Sequence, residues 1–415
     1  MIAPLLVVGL LVAAFVGFNI GGSSTGVAFG PAVGSNTVSK IGAAALMTVF
    51  ALLGGYTVGK NVIRTMGGEI VPSSQFTLAV SVAVLFFVGF ALLISNLFGV
   101  PASTSMTAVG AIAGLGVATD TIVWPVMGRI VSWWLVAPIA AFWVCAVIGR
   151  YLYPYLDAKV PLASAGGVIV RRRAGPVSYP APAPDAALKD VFGIVLVVGI
   201  GCYMAFSAGA SNVANAVAPL VGSEAIEPNT GVFLAAAAIG VGAFTIARRT
   251  LDTVGNDLTD LPLLAALIVE VVSASLITFL SLIGIPASLA VSATMSIVGL
   301  GWGRATRTTT LSEAAGAAMA GEEPAAGARV DALAADGEGS RGDAGSAASG
   351  NGTRSGDDSS ENRTVQPIGE EDPDELTASE LFDPATTGRV IVLWIMTPSV
   401  SAAASYLLFE YAPFF

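Results

Sequence analysis

The sequence holds no histidine and only two cysteines among its 415 residues. Without imidazole it lacks the commonest general acid–base group and any histidine metal site. Cys145 and Cys202 both lie in apolar runs, where they read as packing residues and imply no disulfide framework. Charge is scarce as well: 12% of residues are charged, where soluble domains carry about a quarter. Catalysis is disfavoured, and no constellation of residues supports an intramembrane enzyme. So few basic residues also give no reason to expect a nucleic-acid partner.

What the chain has instead is apolar length. It is 54% apolar, and runs such as 2–18, 76–98, 130–148, 191–206 and 261–283 approach or reach the roughly 20 residues that cross a bilayer. The first run has the length of a signal-peptide core, but it lacks a basic leader and many equivalent spans follow. It reads as the first membrane helix of a multi-pass protein embedded in lipid.

The formal charge of −10 is unevenly spread. Residues 308–388 contain 17 acidic and 4 basic side chains, leaving 12 acidic and 15 basic elsewhere, a net of +3. That acidic stretch is rich in Gly, Ala, Ser and Asp and cannot bury enough surface to offset its ordering entropy, so disorder is expected. Acidic composition of this kind suits a halophilic source. A shorter linker with Arg171, Arg172, Arg173 and several prolines occupies about 157–189.

The most informative feature is internal. AFGPAVGS at 28–35 aligns with AVAPLVGS at 216–223, an offset of 188. Thr57, Val58, Lys60, Thr65 and Gly67 then meet Thr245, Ile246, Arg248, Thr253 and Gly255 at that same offset. Farther on, STSMTAVG at 103–110 meets SATMSIVG at 292–299 at 189. One ambiguity stands: GVPAS at 99–103 also matches GIPAS at 284–288, at 185. A small insertion reconciles the two.

Five spans before the second repeat (2–18, 38–59, 76–98, 102–118, 124–149) make it run opposite to the first. Four spans (190–206, 229–247, 261–283, 288–303) and a last one at 389–409 follow. With the N-terminus outside, inner loops receive 12 basic residues and outer loops only Lys60, Arg64 and Arg129, a clear positive-inside bias. The expected fold is all-α: about 10 transmembrane helices plus re-entrant or broken segments, in two inverted-topology repeats. Membrane repeat 1 covers 1–150, a basic cytoplasmic linker 151–189, and membrane repeat 2 190–305. An acidic cytoplasmic linker follows at 306–388, then a terminal helix at 389–415. The expected location is the plasma membrane, with both termini outside. Inverted repeats are the architecture of secondary transporters, which hold substrate at the midplane.

Two stretches do not read as lipid-facing helix: 19–39, with Ser23, Ser24 and Thr25, and 207–223, with Ser211, Asn212 and Asn215. Irregular polar backbone at membrane depth is expected there, buried in protein or lining a wet cavity. Helix starts after such segments aim N–H groups and a positive dipole end at an anion. The alternative is a small-residue helix-packing face. Second polar clusters recur at matched positions: Pro101, Ser103, Thr104, Ser105 and Thr107, then Ser292, Thr294 and Ser296. Glu270 is alone in its apolar span and is a functional candidate, or else a boundary residue snorkelling from a shifted helix. Asp252, Asp257 and Asp260 read as solvated loop residues.

At these residues the chain resembles the inorganic phosphate transporter family, which includes sodium- and proton-coupled phosphate permeases. That family carries a GANDVANA-type motif in each half and a later PVSTTHT-type motif. GASNVANAVAPLVG at 209–222 matches the first well, and GGSSTGVAFGPAVGS at 21–35 matches mainly in its second part. PASTSMTAVGA at 101–111 matches the later motif, and AVSATMSIVG at 290–299 matches it more weakly. The family's aspartates fall on Ser24 and Asn212, and its later histidines on Met106 and Met295. A glutamate common after the first motif falls on Ala51, while Asn215 is kept.

The resemblance implies alternating-access transport of inorganic phosphate. The anion would sit on Ser24, Asn212 and Asn215 with Ser103, Thr104, Ser105, Ser292 and Thr294; the polar segments themselves add Ser23, Thr25 and Ser211. It implies Na+ or H+ as coupling ion, with Ser24 and Asn212 as coupling candidates; Glu270 joins them as the lone ionisable residue of its span, and no organic cofactor or metal centre is expected. A homodimer is compatible with it. Sulfate is the neighbouring alternative among oxyanions, and a non-transporting sensor or scaffold that kept the fold is the alternative from another class.

Overall fold

Apolar chain in lipid can satisfy its own N–H and C=O groups only through helix or closed barrel. The computed structural model describes residues 2–97, 103–160, 169–174, 177–182, 188–246, 262–308 and 384–412, and helices make up most of them. In chain order these are α1 Ile2–Gly34, α2 Lys40–Glu69, α3 Leu78–Leu97, α4 Thr104–Ala118 and α5 Trp124–Lys159. Then come α6 Leu188–Gly222, α7 Pro228–Thr245, α8 Leu263–Leu282, α9 Leu289–Ala305 and α10 Pro384–Tyr411. Six of these (α1, α2, α5, α6, α7 and α8) are long and apolar enough to cross a membrane. The basic linker forms a short antiparallel hairpin, β1 Ile169–Ala174 against β2 Val177–Pro182, with Arg172 opposite Tyr179. Most of the acidic stretch, together with Pro101, Asp252, Asp257 and Asp260, lies outside the described residues.

The expected irregular backbone is confined to 35–39 and 223; residues 19–34 and 207–222 are helix. The polar motifs sit inside α1 and α6, which run unbroken to Gly34 and Gly222. Side chains turn back onto the helix instead of opening it: Thr25 Oγ1 donates to Gly21 O at 2.7 Å, and Asn19 Nδ2 to Phe15 O at 2.9 Å. Such i−4 bonds satisfy polar groups without breaking the ladder. Both helices end alike. Asn36 and Glu224, 188 apart, take left-handed φ values of 57° and 56°, and Thr37 N and Ala225 N return to Ala32 O and Leu220 O. Irregular buried backbone appears elsewhere, at 283–288, where Ile285 and Ala287 are buried between α8 and α9.

Helices related by the offset of 188–189, together with α5 and α10, pack on each other's counterparts. The pairs α1–α7 and α6–α2 correspond, as do α4–α10 and α9–α5, and α1–α3 and α6–α8. Glycines set the closest of these contacts. A Cβ on Gly21 would lie 2.0 Å from Ile239 O, and one on Gly209 2.1 Å from Ala51 O. Gly242 against Phe18 O (2.0 Å) and Gly54 against Phe206 O (1.9 Å) form the second matched pair. Ile239 follows Ala51 by 188, and Phe206 follows Phe18 by the same number. The equivalent helices α1 and α6 cross antiparallel: Gly9 lies beside Leu220, and Phe29 beside Gly201.

Gly209→Val forces α6 off α2 and is expected to destabilise the protein by about 1–3 kcal/mol or more. Thermal unfolding in detergent reads this as a lower midpoint. Gly199→Val, whose Cβ meets nothing within 4 Å, is the control and should melt as the wild type does.

Candidate functional site

The crossing of α1 and α6 places equivalent motif positions face to face. Asn212 Nδ2 donates to Ser24 Oγ at 3.3 Å, joining two residues 188 apart in sequence. They line a cavity with Ser23, Val27, Thr104, Ser288, Leu289 and Ala290. It encloses roughly 380 Å³ of empty space, its open side included. Ser23 Oγ donates back to Ile20 O (3.2 Å) within its helix, while no acceptor takes the Ser24 hydroxyl hydrogen or that of Thr104 among the described residues.

Two helix beginnings open on this cavity. Thr104 starts α4, with Ser103 at its N-cap position. Leu289 starts α9, where Ser288 Oγ accepts from Val291 N at 3.3 Å. The first N–H groups of a helix have no partner within it and carry the positive end of its dipole. Hydroxyls, an amide and two helix N-termini therefore converge on one space. That is a neutral, donor-rich environment suited to an oxyanion.

Behind the lining, a fully buried chain of bonds fixes Asn212. Asn215 Nδ2 donates to Asn212 Oδ1 (3.2 Å) and to Ser105 Oγ (3.0 Å). Ser211 Oγ donates to Ala287 O at 2.7 Å, so its contact with Ser105 Oγ at 3.2 Å uses the Ser105 hydrogen. The direction is thus set from Asn215 through Ser105 and Ser211 to Ala287. Asn215 Oδ1 and Ser103 Oγ are buried and find no partner among the described residues.

Of the residues expected from sequence, Ser23, Ser24, Thr104 and Asn212 line the cavity. Ser105, Ser211 and Asn215 support it, and Ser103 occupies the N-cap position of α4 without a side-chain capping bond. Thr25 is buried and bonded to its own helix. Ser292 and Thr294 do not line it; Ser292 lies one turn into α9, its N–H on Ser288 O. Sequence reasoning missed Val27, Ser288, Leu289 and Ala290.

The signal for Ser288 was the GVPAS/GIPAS match. The helix starts follow its offset of 185, Ser103 to Ser288. The deeper glycines follow 189: Gly110 and Gly114 press on Pro398 O and Ala402 O as Gly299 and Gly303 press on Phe142 O and Ala146 O. Four extra residues make about one helical turn, so α9 gains length at its start without rotating its packing face.

Glu270 is 4% exposed in the middle of α8 and does not line the cavity. No group of three or more carboxylate, cysteine or histidine side chains that could hold a metal ion occurs among the described residues.

A multi-pass helical membrane protein whose paired helices enclose a small polar cavity is built as a transporter. The match to the PHO4 family model, "Phosphate transporter family", runs over residues 20–405. The chain belongs to the phosphate transporter family. It is 29% identical to the sulfate permease CysP of Bacillus subtilis over 293 residues, covering 70% of this chain and 76% of that protein. It is 26% identical to a Helicobacter pylori protein named "Putative phosphate permease" over 368 residues, covering 72% and 68% of the two. A solved structure titled "The sodium-dependent phosphate transporter" shares the fold, with a TM-score of 0.64 at 15% identity over 99% of this chain and 100% of that one.

Proposed function

We propose that this protein carries inorganic phosphate across the plasma membrane by alternating access between two inverted repeats, 1–150 and 190–305 with the terminal helix 389–415. The anion rests against Ser23, Ser24, Thr104, Asn212 and Ser288, while Asn215, Ser105 and Ser211 hold Asn212 in place. The observation that carries this reading is the Asn212–Ser24 bond, which joins equivalent positions of the two halves inside a polar cavity. A site shared by two antiparallel halves opens to one side or the other as they rock. The membership in a phosphate transporter family and the relative named as a phosphate permease support the substrate.

One observation favours sulfate as a second reading. The cavity lining contains no carboxylate, and a fully deprotonated tetrahedral anion needs no charged acceptor; the Bacillus relative is named for sulfate. Sodium or protons supply the coupling.

Uptake of labelled phosphate into proteoliposomes tests the proposal, with unlabelled sulfate as competitor. Saturable phosphate uptake supports it. Sulfate uptake that phosphate fails to compete favours the second reading. Anion binding with no flux under any sodium or proton gradient overturns both and leaves a sensor or scaffold.

A further inference from the structure

Trp394, on the terminal helix α10, brings an unused hydrogen-bond donor to the two helix starts of the site. Its side chain is 8% exposed, and its Nε1–H is buried with no partner among the described residues. Buried polar groups are nearly always paired, and an indole nitrogen can only donate. A donor held in this way is poised for an acceptor that arrives.

The indole is wedged between the two elements that open on the cavity. It packs on Val291 of α9 and on Met106 of α4, in a small cluster apart from the main core. Val291 follows the lining residue Ala290, and its N–H is the one that Ser288 Oγ accepts. Met106 comes two residues after the lining Thr104. One side chain thus touches the first turn of both helices whose N-termini face the anion site.

The terminal helix holds the indole at that place. Gly110 and Gly114 admit Pro398 O and Ala402 O, and Ser405 Oγ donates to Ala111 O at 2.6 Å, so α10 and α4 are clamped as one body. Gly299 and Gly303 clamp α9 to α5 in the same manner. Trp394 reaches from the first body to the second. Pro398 has no N–H to give Trp394 O, so the turn that bears the indole is released from the helical ladder while the turns after it are fixed.

We propose that Trp394 is a further anion-binding residue, whose indole N–H donates to an oxygen of the bound oxyanion when α4 and α9 close on it. This rests on the transport reading above and adds to that site a donor from the terminal helix. A group that donates and accepts nothing suits an oxygen that carries no proton, which phosphate and sulfate both offer.

The test titrates the full-length protein in detergent with inorganic phosphate and with sulfate. Trp394→Phe keeps a ring against Val291 and Met106 and removes the donor. It should weaken the anion that the wild type binds by about ten-fold or more, the size of one hydrogen bond to a charged group. Trp124→Phe, at an indole that is 67% exposed, should stay within about two-fold.

A second readout needs no variant at 394. With the indole nitrogens isotope-labelled, the Trp394 signal is identified by elimination from single Trp→Phe changes at the other indoles, and its N–H proton should move downfield on anion binding. A Trp394 signal that ignores the anion overturns the assignment whatever the affinity of the Phe variant, because a packing role lowers affinity without engaging that proton. So does a folded Phe variant whose affinity stays within about two-fold of the wild type. A wild type that binds neither anion is a failure of the transport reading itself, and of this proposal with it.

Discussion

Asn212→Asp is expected to abolish sodium-free anion uptake. The substitution puts a carboxylate on the cavity wall, beside Ser24. At about 5 Å and an effective dielectric of about 20, one unit charge costs an anion of the same sign about 3 kcal/mol. That is a loss of roughly 100-fold in affinity for a monoanion, and more for a dianion. The geometry also predicts the rescue. An aspartate beside the orphaned Asn215 Oδ1 and neutral hydroxyls is an oxygen-ligand set for a hard cation, so sodium should restore binding in the variant and have less effect on the wild type. Phosphate binding titrated with and without sodium checks both. Equal affinity of variant and wild type without sodium would remove Asn212 from the anion site. Ser24→Asp, across the bond, should behave in the same direction.

The second large effect lies one turn away. Asn215→Leu keeps the side-chain volume but removes both donors of a fully buried amide. Ser105 Oγ and Asn212 Oδ1 lose their donor, and each buried unsatisfied group costs about 1–3 kcal/mol. Asn212 is then free to turn its amide away from Ser24. The expected outcome is a lower melting temperature together with a rise of about ten-fold or more in the KM for anion uptake. A change in melting alone would make Asn215 a packing residue. Ser211→Ala breaks the chain at its far end, towards Ala287, and should show a smaller version of the same pair of effects.

Much of this was legible in the sequence because it depends on local chemistry and period. Apolar runs separated by basic loops can only be membrane helices, whatever their neighbours. The offset of 188 foretold the pairing of Ser24 with Asn212, which meet where α1 and α6 cross antiparallel. The matched helix ends at Asn36 and Glu224 were not read from it. Clusters of Ser, Thr and Asn at matched positions pointed to Thr104 and the supporting Ser105, Ser211 and Asn215.

Other features were decided by partners far away in the chain. Gly, Ser, Thr and Asn in one segment read equally as a break or as a close-packed helix. Ile239 O against Gly21 and Ala51 O against Gly209 made them helix, because only residues without a Cβ admit those carbonyls. Whether Ser288 or Ser292 reaches the cavity turned on where α9 begins, which the loop held by Ser211, and by Trp134 Nε1 on Pro286 O at 2.8 Å, determines. The isolation of Glu270 was equally invisible in one dimension. A lone acid in an apolar run marks a snorkelling end or a buried group, and only the surrounding helices established the latter. Sequence by itself determined which runs are long and apolar enough to cross a membrane and that the polar motifs recur at one offset. Tertiary contact determined which of them face each other, because main-chain approach across a helix pair depends on residues nearly two hundred positions apart.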